Sequence, residues 1–225
     1  MEKSKAEKEI VERIPNENDK GKKKKWIETI STILLSAATV LSAWCVFQSS
    51  QWSGEQYFRI DDETAANQFR LQNEVAAAQR KTAELQIFLQ YTVAVADENA
   101  KLANFLYERF PSSLKKAFDA WSTLGPYNNP NAPRSPFQMK EYVVPEVDEA
   151  AKYEKEAAAF KKAANIADNH ADNYVLVSLV LSMVLFFCGL SGVTDSYSNQ
   201  RILIGIALLI FFTSIIFITT MPVQF

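Results

Sequence analysis

Few residues in this chain have the types and spacing that chemistry requires. The single histidine, His170, has Asn169 and Asp172 as close neighbours, and it could exchange protons near neutral pH or orient a polar ligand. The sequence supplies neither a serine or cysteine nucleophile motif nor a glycine-rich phosphate loop to act with it. We therefore interpret His170 as an ordinary polar residue, predict that the chain is not an enzyme, and expect no cofactor.

Two clusters of carboxylates are candidates for a cation site. Asp61–Glu63 forms one cluster and Glu146–Glu149 contains the other. Calcium requires six to eight oxygens that converge, usually from a loop, whereas both clusters fall in stretches that we expect to be helical. We therefore predict no metal site and interpret both clusters as solvated helix surface. The second also suits the positive end of a helix dipole.

Three long apolar segments determine how the rest of the chain is arranged. Hydrophobic residues make up 48% of the 225-residue chain, and they are concentrated in segments 26–48, 173–193 and 201–221. Each is long enough to cross a bilayer as a helix. A cleavable signal peptide is the rival for the first segment, but its apolar run is too long and lacks a plausible cleavage site. Cys45 and Cys188 lie inside these segments, and we interpret both as packing residues.

A basic run precedes the first span, at the end of a charged tail over residues 1–25. Lysine beside a span favours the cytoplasmic side and attracts anionic headgroups, whereas a nucleic-acid site would need further basic and aromatic surface. We therefore predict a multi-pass protein of the cell (inner) membrane, with a cytoplasmic N-terminus, residues 49–172 outside, and no nucleic-acid partner. The predicted contacts to anionic lipid are Lys22, Lys23, Lys24 and Lys25.

Small residues recur on one side of the first span. We call Thr32, Ser36, Thr39 and Ala43 the small-residue face. Small side chains let helices pack closely in lipid, so this face predicts a contact with another helix. Alternatively, its hydroxyls could line a pore within a homo-oligomer.

Between the first two spans, the pattern predicts two long helices that pack as a coiled coil. The returning helix, which opens at Pro145, carries apolar residues at three-four spacing, and we call this set the stalk seam: Ala150, Tyr153, Ala157, Phe160, Ala164, Ala167 and Ala171. A weaker four-three spacing from Thr64 to Thr92 predicts the facing side of the first helix, with an interruption at Ala96–Asn99. The prolines and turn residues between 111 and 145 indicate a proline-rich cap. We expect Phe137 and Met139 of this cap to fold back over the helix ends.

Three segments resemble landmarks of an uncharacterised family of three-span prokaryotic membrane proteins with an extramembrane helical domain. They are Phe47–Gly54, Asn129–Phe137 and Asp172–Leu176. The resemblance extends from the first span to the end of the chain and implies architecture rather than activity.

The sequence therefore predicts an all-α membrane protein with three transmembrane helices and a long antiparallel helical-hairpin domain inserted between spans 1 and 2. We expect a non-enzymatic oligomeric scaffold that presents a helical stalk, with the lipid bilayer, further copies of itself and a protein at the stalk tip as partners. The alternative is a homo-oligomeric channel lined by the small-residue face.

Overall fold

The computed structural model describes residues 17–126 and 128–224, with side chains from Lys25 onward. Every regular element in these ranges is helical. The helices are α1 (Glu17–Ala96), α2 (Ala100–Tyr107), α3 (Ser112–Ser122), a 3-10 turn at Pro136–Gln138, α4 (Pro145–Val193) and α5 (Tyr197–Thr220). Residues 1–16 of the predicted charged tail (1–25) lie outside the described residues, and its remainder from Glu17 belongs to α1.

Helix α1 is continuous for 80 residues, so the predicted first span and the helix that follows it are one element. It ends where the sequence predicts an interruption. Glu98 has a φ of 57°, which a right-handed helix does not allow. The Asn99 side chain then accepts a hydrogen bond from the Leu102 N–H at 3.1 Å and starts α2.

Helices α3 and α4 begin directly after or at a proline. Helix α4 begins at Pro145 as predicted and ends at Val193, the last residue of the predicted second span. Helix α3 follows Pro111, and no side-chain hydrogen bond caps it. In its first turn the Ser113 hydroxyl donates to Glu84.

The chain divides into two compact units, Met1–Phe58 with Ala163–Phe225, and Arg59–Lys162. We call the first the membrane unit and the second the helical unit. The predicted domain boundaries at residues 49 and 172 refer to the edge of a bilayer, and they stay predictions.

The membrane unit has an apolar core to which α1, α4 and α5 all contribute. Among its most buried residues are Leu34, Ala38, Cys45, Leu181, Val184 and Ala207. All three helices contain a stretch long and apolar enough to cross a membrane. This confirms the predicted all-helical fold of the described residues and the three predicted helices that are long and apolar enough to cross a membrane.

The helical unit has an aromatic core around the end of α1. Its buried members are Phe88, Phe110, Leu114, Phe118 and Trp121. Phe137 and Met139 pack against this core, as the sequence predicts, and the Phe137 ring centroid lies 5.6 Å from that of Phe88. The Trp121 indole donates a hydrogen bond to the Pro133 carbonyl oxygen at 2.6 Å, which fixes the loop after α3 against the core.

Contacts between α1 and α4 within the helical unit show that these helix segments run antiparallel. The rings of Phe69 and Tyr153 stack with centroids 5.3 Å apart. Further along α1, and further back along α4, Arg80 pairs with Glu146.

The side of α1 that is buried in this unit is not the predicted one. Residues of the four-three pattern such as Leu71 and Val75 are 50% and 54% exposed. The buried residues of the same stretch are Ala66, Ala77, Glu84 and Phe88. The apolar spacing was misleading because the buried side includes a carboxylate whose partner comes from another helix.

Candidate functional site

The small-residue face of α1 is exposed in the single chain. Thr32, Ser36, Thr39 and Ala43 all lie on the surface of the membrane unit, whereas Ser31, Leu34 and Ala38 point into its core. The chain's own helices therefore leave the predicted face uncovered. Its role in packing or in a pore stays a prediction.

The hydroxyls of this face donate hydrogen bonds within their own helix. Thr32 donates to the Glu28 carbonyl oxygen at 2.9 Å, Ser36 to that of Thr32 at 2.9 Å, and Thr39 to that of Leu35 at 2.8 Å. Each polar hydrogen is thus satisfied without water. This lets the face lie against lipid or another helix at little polar cost.

A buried amide joins the end of the first span to the C-terminal segment. The Gln48 side chain is fully buried, and it donates to the Gln224 carbonyl oxygen at 3.0 Å and accepts from the Gln224 N–H at 2.9 Å. Trp52 and Tyr174 both donate to the Pro222 carbonyl oxygen at 3.1 Å. These three side chains attach the segment after α5 to α1 and α4. This site was not predicted, although a glutamine at the end of an apolar span is a sequence signal for a buried polar contact.

A second buried polar contact joins α1 to the C-terminal part of α4. The Ser31 hydroxyl donates to the Cys188 carbonyl oxygen at 3.1 Å and lies 3.3 Å from the Ser191 hydroxyl. Nearby in sequence, the Gln200 amide donates to the Thr194 carbonyl oxygen at 2.6 Å and closes the turn between α4 and α5. Both contacts are structural, because each satisfies groups that are withdrawn from water.

The stalk seam is largely buried. Ala150 and Ala157 are buried in the helical unit, where Tyr153 and Phe160 are half-buried. In the membrane unit Ala164, Ala167 and Ala171 are also buried. The predicted seam therefore lies on the inner side of α4, while a supercoiled geometry stays a prediction.

A polar cluster lies beside the seam in the helical unit. The buried Glu84 carboxylate accepts a hydrogen bond from the Ser113 hydroxyl at 2.8 Å, and Arg80 Nε donates to Glu146 Oε1 at 3.1 Å. Burial and the neighbouring Glu84 carboxylate raise the pKa of the Tyr142 hydroxyl, which therefore stays protonated. The cluster ties α1 to α3 and α4 through charge-assisted bonds.

A groove of about 520 Å³ opens in the helical unit between the end of α1, α2 and α3. We call it the α2–α3 cavity. Its lining includes the rings of Tyr91, Tyr107 and Phe118 and the carboxylates of Glu98 and Asp119. Aromatic faces and carboxylates attract cations, so this cavity can accept an ammonium or guanidinium group.

One of the two tyrosines in this lining, Tyr107, is held in place by a carboxylate. The Tyr107 hydroxyl donates to Asp119 Oδ1 at 2.7 Å, and this bond raises the pKa of the hydroxyl. Lys115 Nζ lies 4.5 Å from the centre of the same ring but does not line the cavity. The ring therefore already binds one cation of the chain itself.

The remaining candidates are ordinary surface or packing residues. His170 is half-buried, and its ring centroid lies 4.6 Å from that of Trp52. Asp61 and Asp62 are exposed, and Asp62 lies 3.8 Å from Arg59. In the part of the chain that the structure describes, His, Cys, Asp and Glu residues do not gather in threes that could hold a metal ion.

The lysine run can be located only at its end. Lys25 is the first residue of α1 whose side chain is described, and it is exposed. The side chains of Lys22, Lys23 and Lys24 lie outside the described residues, so their contact with anionic lipid stays a prediction.

Comparison with protein families, curated proteins and solved structures finds no match to this chain. The family resemblance of the sequence therefore stays a prediction.

Proposed function

We propose that the protein is a non-enzymatic scaffold that self-associates in the cell membrane and presents a helical hairpin, formed by α1 and α4 between the first two spans, to a protein partner. The observation that carries the proposal is the exposed small-residue face of α1. Three candidate spans build one core, yet Ser36 and Thr39 lie outside it. Small residues on a lipid-facing surface gain little, whereas they allow close packing against a second copy.

A pore lined by the same face is the alternative. A conducting path needs polar groups that remain available to water or ions. The hydroxyls of Thr32, Ser36 and Thr39 instead donate to the backbone of their own helix. Their hydrogens are engaged, but their oxygens can still accept from water. We place the scaffold first because residues 29–47 of the first span carry no charged side chain that would support a conducting path.

The mass of the purified protein in detergent and in lipid nanodiscs tests self-association. The wild type should exceed the monomer mass, and Ser36→Leu with Thr39→Leu should shift the equilibrium towards monomer because the larger side chains separate the helices. Val40→Leu is the matched control, since Val40 is exposed beside the face but does not belong to it. A monomer at every concentration, or equal effects of both changes, would contradict the proposal and remove the pore as well.

The predicted topology places the N-terminus in the cytoplasm and the helical unit outside. The attachment of Gln224 to Gln48 supports one part of it, a C-terminal segment at the end of the first span that leads to the helical unit. The orientation itself rests on the lysine run before the first span, because lysine beside a span favours the cytoplasmic side. Cysteine labelling in intact cells tests it. Asn131→Cys should react with an impermeant maleimide, whereas Ser198→Cys, in the first turn of α5, should react only after permeabilisation. The opposite pattern would reverse the orientation.

The α2–α3 cavity supports a basic segment as the partner at the stalk tip. An oligolysine peptide is a suitable probe, with binding followed by the mobility of a labelled peptide. Replacing both carboxylates of the lining, Glu98→Gln with Asp119→Asn, should weaken binding because the aromatic rings then act alone. Asp61→Asn with Asp62→Asn removes the same charge elsewhere and is the control. Equal binding to both variants would contradict a basic partner at this cavity.

A further inference from the structure

The helical unit exposes a long stripe on α1 that its own fold does not use. We call it the heptad stripe: Thr64, Gln68, Leu71, Val75, Ala78, Thr82, Leu85, Leu89 and Thr92. Thr92 is half-buried and every other member is exposed. The large members Leu71, Val75, Leu85 and Leu89 are 50%, 54%, 44% and 52% exposed. Four such aliphatic side chains in one line on a water-facing helix need an explanation.

For most of its length the heptad stripe lies away from the side of α1 that packs within the unit. Near its end the buried Phe88 is only about 60° around the helix from Leu85. At about 100° per residue, the buried Ala77 lies about 200° around the helix from Val75. The buried Glu84 is displaced from Thr82 by the same angle. Packing against α3 and α4 therefore occupies one side of the helix and leaves the other side available.

The spacing of the stripe indicates that its partner is a helix. Its members alternate in steps of four and three over about four heptads, a period of 3.5 residues. That period keeps a stripe in line only when two helices coil around each other. The stripe is about 40 Å long, from the 1.5 Å rise per residue.

Two grooves flank the small members at the middle of the stripe. One, of about 420 Å³, is lined by Val75, Ala78, Gln79, Thr82, Ala83 and Gln86. The other, of about 460 Å³, is lined by Ala78, Lys81, Thr82, Leu85 and Phe137. In a coiled coil, the side chains of the facing helix insert into recesses of this kind, beside small residues of the contact.

The residues on either side of the stripe fit a second copy of α1 as that helix. One flank is neutral, with Gln72, Gln79 and Gln86, and the other carries Glu74 and Lys81. When two copies pair in parallel, each residue of the second flank faces a residue five positions later on the first flank. Glu74 then meets Gln79 and Lys81 meets Gln86, so like charges never face each other.

We propose that the heptad stripe is the surface through which the helical units of two copies associate, as a parallel pair of α1 helices. The proposal rests on the proposed self-association, because copies inserted in one membrane with the same topology present α1 in the same direction. The small-residue face has the same four-three spacing in sequence, so both surfaces suit parallel helices.

Disulfide crosslinking in native membranes tests the stripe separately from the membrane contact. In a chain with Cys45→Ala and Cys188→Ala, Ala78→Cys should crosslink into dimers on mild oxidation, because seam residues of a parallel pair meet their own counterparts. Gln90→Cys is exposed on α1 but off the stripe, and it should crosslink several-fold less. Diluting the protein with lipid should leave the Ala78→Cys dimer unchanged if the contact is specific.

A third variant, Thr39→Cys on the small-residue face, separates the outcomes. Dimers at both Ala78→Cys and Thr39→Cys support both proposals. Dimers at Thr39→Cys alone overturn the proposal for the heptad stripe and support the contact through the small-residue face. Dimers at Ala78→Cys alone support the stripe and overturn the contact through the small-residue face. The absence of dimers at both sites overturns both proposals. Equal crosslinking at Gln90→Cys, or a crosslink from Ala78→Cys to a different protein, overturns the stripe.

A charge variant confirms that the crosslink depends on the stripe. Leu71→Glu with Leu85→Glu places carboxylates opposite their own counterparts and should abolish the Ala78→Cys dimer. Because both leucines are exposed in the single chain, its helix content by circular dichroism should remain unchanged. An undiminished dimer in this variant would overturn the proposal.

Discussion

Gln48 binds the backbone of Gln224 through both atoms of its side-chain amide, with Nε2 donating at 3.0 Å and Oε1 accepting at 2.9 Å. The two residues are far apart in sequence, and their contact fixes the C-terminal segment to the end of the first span. Polar contacts of this kind give the apolar core of the membrane unit a defined register, which burial alone does not supply.

Replacing Gln48 with leucine should destabilise the membrane unit. The change leaves the partly buried N–H and carbonyl of Gln224 without their partner, at a cost of about 1–3 kcal/mol. Thermal unfolding in detergent measures the loss. Gln90→Leu, at an exposed position of α1, should change the unfolding temperature little, and equal losses would mean that the amide contact is not what stabilises this end.

Replacing Ala164 with leucine should overpack the inner side of α4. Ala164 is 4% exposed, so three extra heavy atoms have no space and should cost about 1–3 kcal/mol. Lys162→Leu adds an apolar side chain at an exposed position two residues away and should have little effect. Both variants can be compared by chemical unfolding, and equal loss of stability would contradict the placement of the seam.

Replacing Ser113 with alanine should remove the hydroxyl that donates to the buried Glu84 carboxylate at 2.8 Å. Hydrogen bonds to charged groups contribute about 1.5–3 kcal/mol, so the helical unit should melt at a lower temperature. Ser112 is exposed and adjacent, and Ser112→Ala is therefore the control. Combining Ser113→Ala with Glu84→Leu should recover part of the loss, since the uncompensated charge is then gone.

Acidification should weaken the contact between Arg80 and Glu146. The backbone N–H of Glu146 at the start of α4, followed by the Arg80 guanidinium, lowers the pKa of the Glu146 carboxyl from its ordinary value of 4.5. A lowered folded-state pKa means that the unfolded chain binds more protons, so this stabilisation is present above pH 4.5 and is lost as the pH falls through the folded value.

Unfolding temperatures of the wild type and of Glu146→Gln, measured from pH 6 downward, check this. The variant should be less stable than the wild type at pH 6, and the difference should shrink on acidification. Glu149→Gln, at an exposed position one turn later, is the control. A difference that stays constant with pH would show that Glu146 does not act through its charge.

Long uninterrupted helices and their ends could be predicted from the sequence because single residues determine them. Pro145 starts α4, and the polar residues after Ala96 end α1, as predicted. Apolar length likewise identified three candidate spans, since a bilayer sets a minimum length for a helix.

Which side of α1 is buried could not be predicted, because two sides of the helix compete. One carries the four-three spacing of Leu71 and Val75, and the other carries Ala77 and Glu84. The second is buried because Ser113 reaches the Glu84 carboxylate, a pairing between distant residues that spacing along one helix does not reveal. The attachment of Gln224 to Gln48 was missed for the same reason.

The aromatic core of the helical unit makes its two parts unequal in local stability. Around Phe88 and Trp121, large rings contact one another from several elements, whereas near Ala66 and Ala157 the buried side chains are single methyl groups. Segments with little buried apolar surface open at a lower free energy than the rest of a fold. Amide hydrogens near Ala66 should therefore exchange with deuterium sooner than those near Phe88, so the part of α1 in the helical unit should lose its protection first near Ala66.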